Sequence, residues 1–447
     1  MSKAKEIKCN YQLKSLIQLL APKLSISSLF KLRCVSKKVA VAVEEHMYSL
    51  EKLNPFRLET NSLLYAVNYY PNLKYFTSPL DDFMNDEDVI RLASICPNLE
   101  FVDLSRTTAT FVGIRYLVQN CPNIQHITLT DGINITDGVI GVIAEGATNL
   151  TGLNVTNCDY LTDLSLTMLV QYRSDSLHKL VIDGCTKITD VGLAAFCEGN
   201  PDVEILSVAR TSLTEVGIKS IIANCEMIEK LNLNSLAVDD NTVSMIVKNC
   251  RTIHRIGLGY TGVTPSIVDV LQTLPLHSVD LSGQELLSDD HLEKLLRKCD
   301  IERLSVKNCT SLTDRTLSNL VEHCSGMTIL TLGPNALFTN DAFLTFARGC
   351  MNLKEVELFG LSQIEDTFIE ELLKNPNLKS LSLCQCSGVS SAIFPAVTKS
   401  KLRFLSFDDS KCVSESEIEQ FFESQRSATL KRRRSIIDII PQPLEME

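Results

Sequence analysis

The run Gly257-Leu258-Gly259-Tyr260-Thr261-Gly262 spells G-x-G-x-x-G, and Asp280 lies 18 residues beyond Gly262. Glycines at that spacing, set between a strand and a helix, let a backbone cradle a pyrophosphate, and an acid about 20 residues further on takes a ribose hydroxyl. Sixteen cysteines offer a second chemistry, metal or disulfide. No pair is spaced C-x-x-C, and Cys384-x-Cys386 has no second pair with which to close a zinc site. The seven histidines are scattered; of them only His126 holds a clear outward strand position. Neither H-E-x-x-H, G-x-S-x-G nor G-x-x-x-x-G-K-[ST] occurs. No catalytic set, metal site or cofactor is therefore expected.

The period of the chain explains the glycines and cysteines better. An apolar residue heads a phrase of about 25 residues fourteen times, at Leu73, Leu99, Ile124, Leu150, Leu177, Val203, Ile228, Ile253, Leu276, Ile301, Met327, Leu353, Leu378 and Leu402, in steps of 23 to 27. Each copy reads roughly C-P-N-L-x-x-L-x-L-x-x-C-x-x-[LI]-T-D-x-x-L-x-x-[LI]. Gly257 and Gly259 occupy outward positions of the strand begun at Ile253, and Asp280 the matching position one repeat later. A dinucleotide turn would instead follow its strand and open a helix. Cys96, Cys121, Cys225, Cys250, Cys324 and Cys350 stand three residues before a leading residue, and Cys158, Cys185, Cys309 and Cys386 eight after one. Cysteine in phase with a repeat reads as a small buried apolar side chain, and many unpaired thiols fit a reducing compartment.

The phrase is similar to the leucine-rich repeat, in its cysteine-containing variant. The expected fold class is α/β, a leucine-rich-repeat solenoid with parallel strands on the concave face and helices outside. Helices are ~10 Å wide and strands ~4.8 Å apart, so stacking is expected to bend the array into a horseshoe. In the repeat from Leu177 to Gly199, Leu177, Leu180 and Ile182 alternate inward while Lys179, Val181 and Asp183 face out. Thr189 then caps a helix, with Asp190 in the first turn where the dipole favours negative charge. The same [ST]-[DE] start recurs, for example at Thr136-Asp137, Thr214-Glu215 and Thr313-Asp314.

The first 53 residues break the period and read as two or three short helices. Their core phrase, Leu24-Ser25-Ile26-Ser27-Ser28-Leu29-Phe30-Lys31-Leu32-Arg33-Cys34-Val35-Ser36-Lys37-Lys38, resembles the F-box pattern L-x-x-x-[DS]-L-x-x-[LF]-x-x-V-[SC]-[KR]-x-W, with Val39 at the tryptophan position. An F-box ahead of cysteine-containing repeats is the layout of the F-box/leucine-rich-repeat family. That resemblance implies a non-catalytic, substrate-recognition subunit of a Skp–cullin–F-box ubiquitin ligase. Its F-box would dock a Skp-type adaptor on the cullin core, and its concave face would hold a protein substrate. By position, Leu16, Leu20, Leu24, Leu29, Leu32 and Val35 match the family's apolar adaptor-facing or core residues. The alternative is a ligase-independent scaffold or regulatory binding protein whose N-terminal helices only cap the array. The expected organisation is an F-box-like domain over 1–53, a capping half-repeat over 54–72, fourteen repeats over 73–423 and a disordered tail over 424–447.

Counted from each leading residue, positions three, five and seven face outward. This gives a basic middle of Lys179, Lys230, Arg255, Arg303 and Lys307, with Tyr260 just past its strand. An acidic and aromatic end follows, with Glu355, Glu357, Phe359 and Phe404. Such a face is expected to bind protein substrate, the basic middle recognising an acidic or phosphorylated segment. A net charge of −11 argues against a general nucleic-acid partner. No apolar run approaches the length of a membrane span and no signal peptide is expected, so a cytoplasmic or nuclear location is expected.

Overall fold

In all fourteen repeats the leading residue is buried, at most 3% exposed, and a strand begins two residues after it. The computed structural model describes residues 31–32, 34–35, 37–51, 60–78, 83–173, 176–407, 413–424 and 431–432. The chain forms two compact units, Met1–Cys225 and Glu226–Glu447. In the first, β1 (Tyr75–Thr77), β2 (Phe101–Asp103), β3 (His126–Thr128), β4 (Gly152–Asn154), β5 (Lys179–Val181) and β6 (Ile205–Ser207) pair in parallel, each with its successor.

The second unit repeats the pattern with β7 (Lys230–Asn232), β8 (Arg255–Gly257), β9 (Ser278–Asp280), β10 (Arg303–Val306), β11 (Ile329–Leu332), β12 (Glu355–Phe359), β13 (Ser380–Cys384) and β14 (Phe404–Ser406). Parallel neighbours need a crossover, and helices such as Asp190–Gly199 and Asp289–Lys298 supply it. This is the α/β leucine-rich-repeat architecture that the period predicts. Of the tail expected to be disordered, Lys431 and Arg432 alone are described beyond Ser424, as a short strand β15 paired with β14.

Three devices join one repeat to the next. The backbone leaves the strand through a left-handed residue at position eight, among them Arg106, Asp131, Asn157, Gly184, Tyr260, Gly283 and Asn308, with φ between 55° and 80°. The cysteine that follows donates its thiol to the carbonyl just past the strand of the preceding repeat: Cys158 to Leu129 at 3.2 Å, Cys185 to Val155 at 3.1 Å and Cys309 to Leu281 at 3.3 Å. Cysteine here is thus a donor as well as an apolar filler. Burial pushes the thiols of Cys185 and Cys309 up to about 12.

The third device is the aspartate of the T-D start. Asp190 accepts the backbone N–H of Thr214 at 2.8 Å and its hydroxyl at 2.6 Å. The same bridge joins Asp86 to Thr110, Asp137 to Thr162, Asp163 to Thr189 and, in the second unit, Asp240 to Thr264, Asp289 to Thr313 and Asp314 to Thr339. An acid expected only to complement its own helix dipole therefore also ties two helices together.

Ahead of the repeats, the helix Lys37–Tyr48 buries Ala42, Val43 and Met47. The helix Thr60–Val67 buries Leu63, Leu64 and Val67. The carbonyl of Glu51 accepts the N–H groups of Lys74 and Tyr75 at 2.8 and 3.0 Å, fastening this segment to β1. Leu32 is half-buried and Val35 is 68% exposed. Leu16, Leu20, Leu24 and Leu29 lie outside the described residues.

Candidate functional site

Alternation along each strand places its outward residues in rows that cross the sheet. In the first unit the row at position three runs Tyr75, Phe101, His126, Gly152, Lys179. Its first three rings stack: Tyr75 on Phe101 at 4.7 Å and 7°, Phe101 on His126 at 4.6 Å and 11°. A Cβ on Gly152 would overlap the imidazole, so the glycine gives His126 room to lean over β4. Burial, with the Lys179 ammonium beyond, brings His126 down to about 4, and the ring is neutral at physiological pH. The sequence marks Lys179 as a binding residue and gives His126 an outward strand position only. The signal for the stack was an aromatic side chain at position three of three successive repeats.

Asp183, expected to face out, is 1% exposed. It accepts the Ser207 hydroxyl at 2.7 and 2.8 Å and the Ala209 N–H at 2.8 Å. Position seven here supports the sheet rather than offering a charge to a partner. Asp103 is similar: it accepts the N–H and hydroxyl of Ser105 at 2.9 and 2.5 Å, and burial raises its carboxyl above the usual range.

In the second unit the row at position three runs Lys230, Arg255, Ser278, Arg303, Ile329, Glu355, Ser380, Phe404. Lys230, Arg255 and Arg303 are thereby brought to one rung. Lys307 sits apart: just past the end of β10, it pairs with Glu357 at 3.7 Å, and Thr331 donates to the same carboxylate at 3.4 Å. Phe359 is level with Cys384 and Phe404 with Ser380, so the two aromatics lie on different rungs two strands apart. The ring of Tyr260 covers Gly283, where a Cβ would lie 2.6 Å from Cδ1. Its hydroxyl accepts from Asn308 Nδ2 at 2.8 Å. Tyr260 thus bridges three repeat turns and lies off the rung of Arg255. Lys179 belongs to the other unit.

The glycine fingerprint has a structural role. Asn234 Oδ1 accepts the Gly259 N–H at 2.7 Å, and Asn234 Nδ2 reaches across to donate to Asp280 Oδ2 at 2.8 Å. Asp280 Oδ1 accepts the N–H and hydroxyl of Ser282 at 2.9 and 2.5 Å. A side chain on Gly257 would meet Asn232 Oδ1 at 2.5 Å and Asn234 Oδ1 at 2.8 Å. The glycines leave β8 bare so that amides and a carboxylate can join over it. Among the described residues no group of three or more His, Cys, Asp or Glu could hold a metal ion. No described helix is long and apolar enough to cross a membrane.

No family model matches the chain. The Antagonist of mitotic exit network protein 1 of Candida glabrata is 30% identical over 155 residues, 32% of this chain. The chain spans about 30% of that relative's length. Among solved structures, the yeast complex of Rad7 and Elc1 contains a chain 15% identical, matched over 97% of this chain and 98% of that one with a TM-score of 0.45. An internalin (inlF) from Listeria monocytogenes is 19% identical over 75% of this chain and 86% of its own, with a TM-score of 0.39.

Proposed function

We propose that this chain is the substrate-recognition subunit of a Skp–cullin–F-box type ubiquitin ligase. The F-box-like phrase Leu24 to Lys38 holds the adaptor, and the strand face of the repeats holds a protein substrate. The observation that carries the reading is the order of the two parts. A phrase with the F-box spacing stands directly ahead of the repeats, and its Val35, at an adaptor-facing position, is 68% exposed. A bare valine of that exposure loses apolar burial that a docked partner would restore, ~25 cal/mol for each Å² covered. The strand face itself offers charges, amides and rings for recognition. In this role the chain acts by proximity: it holds the substrate's lysines near the conjugating enzyme that the ligase core carries.

The test is co-purification of the tagged full chain from cells with a Skp-type adaptor and cullin, compared with Leu29→Asp/Val35→Asp. Recovery of both with the wild type and their loss with the variant supports the reading. A wild-type chain that recovers neither is instead a ligase-independent scaffold with a helical N-terminal cap.

A further inference from the structure

The residue just ahead of each strand, at position two of its repeat, lines the edge of the sheet where the strands begin. In the last three repeats that residue is Lys354, Lys379 and Arg403. Their backbones form one ladder: the Lys354 carbonyl accepts the N–H of Lys379 at 2.7 Å, and the Lys379 carbonyl accepts that of Arg403 at 2.8 Å. Neighbouring strands are ~4.8 Å apart, so the three cations start within about 10 Å along one edge. All three are exposed, as is Lys401 in the turn before Arg403. Among the described residues no acid pairs with any of the four. The one other lysine or arginine at position two, Lys74, is instead held between Glu51 at 3.3 Å and Glu100 at 3.4 Å.

The usual structural reasons for surface cations do not cover this row. Lys399 ends the helix Phe394–Lys399, where the dipole favours a positive charge. Arg348 and Lys374 share the carboxylate of Glu371, at 3.5 and 2.7 Å. Lys354, Lys379 and Arg403 lie outside any helix and have no such acid. Like charges side by side on adjacent strands repel, so the row is a local cost that an anionic partner would remove.

Spacing and chemistry narrow the partner. The turns ahead of these strands are Met351-Asn352, Pro376-Asn377 and Ser400-Lys401, with no aromatic ring on which a base could stack. Lysine is a compact point charge and suits single carboxylates one by one. Acids three or four apart on a helix stand about 5–6 Å from each other, close to the step of the row. We propose that Lys354, Lys379, Lys401 and Arg403 dock the acidic face of a helix in the partner protein. This rests on the reading of the repeats as a protein-recognition array and is independent of whether the N-terminal segment binds an adaptor.

The experiment uses the purified full chain and a fluorescent alanine-rich helical peptide with glutamates every fourth residue. One control peptide carries glutamine at those positions, and another spreads the same glutamates around the helix. Fluorescence anisotropy at low salt is expected to show the one-faced glutamate peptide binding about tenfold tighter than either control, with the difference shrinking as salt rises. Lys354→Gln/Lys379→Gln/Arg403→Gln is expected to abolish the preference at an unchanged unfolding midpoint, because these side chains hold nothing in the fold. Lys354→Glu/Lys379→Glu is expected to reject the glutamate peptide and bind its lysine counterpart. Equal binding of the three peptides would overturn the proposal, as would a triple variant that binds like the wild type. So would tighter capture by phosphatidylserine vesicles or by single-stranded RNA than by the glutamate peptide. Failure of adaptor capture leaves all of these readouts intact, so the two proposals fail separately.

Discussion

Asp289 in one repeat accepts both the backbone N–H of Thr313, at 3.0 Å, and its hydroxyl, at 2.6 Å, in the next. The buried hydroxyl of Thr316 donates to the same carboxylate at 2.5 Å. Removing the acid leaves a backbone donor and two hydroxyls without their acceptor, and the loss is charge-assisted. Asp289→Ala is expected to cost about 2–3 kcal/mol and Thr313→Ala about 1 kcal/mol. Urea unfolding of each variant and of the double variant checks this. The double should cost less than the sum, because the pair is coupled.

How much of this was readable beforehand depends on which residues meet. Leu177 and Leu180 declared the strand β5 and its buried face because alternation acts within one repeat. The T-D pair at Thr313 and Asp314 declared a helix start for the same reason. What Asp289 does to Thr313 needs the register between repeats, and 24 residues separate the two. The Tyr75–Phe101–His126 stack, the burial of Asp183 under Ser207 and the withdrawal of Lys307 to Glu357 are all contacts of that kind. The F-box-like phrase was read from family spacing, and most of its apolar positions fall outside the described residues.

Gly257 gives a second test of the same lesson. Gly257→Ala places a methyl against the amide oxygens of Asn232 and Asn234 and disturbs the bond from Asn234 to Asp280. The expected cost is about 1–3 kcal/mol in chemical denaturation. Saturating dinucleotide is expected to leave the unfolding midpoint of the wild type unchanged. A midpoint that rises with dinucleotide would restore the fingerprint to its usual meaning.

His126 sets a pH dependence. Its folded pKa, about 4, lies below the unfolded value of 6.5, so between these values the unfolded chain binds the extra proton. Its contribution is complete above pH 6.5 and is lost as pH falls toward 4. His126→Phe keeps a ring on Phe101 and removes the titration. The stability of the wild type relative to this variant should therefore decline on acidification through that window. A difference that stays flat with pH would refute the burial of a neutral imidazole.

The buried thiols predict a labelling pattern. Of the fourteen described cysteines, Cys34 is exposed and thirteen are buried. Iodoacetamide at pH 8, followed by mass spectrometry of the peptides, should modify Cys34 quickly and the buried thirteen only after denaturant is added. Rapid native modification of Cys185 or Cys309 would contradict their burial and their donation to the carbonyls of Val155 and Leu281.

The central claim is that the N-terminal phrase tethers a repeat receptor to a ligase. The most direct measurement is the dissociation constant between the purified full chain and a purified Skp-type adaptor, with Val35→Asp beside the wild type. The account predicts saturable one-to-one binding, weakened at least tenfold by Val35→Asp at an unchanged unfolding midpoint. No saturable binding by a wild-type chain whose repeats are folded would contradict it.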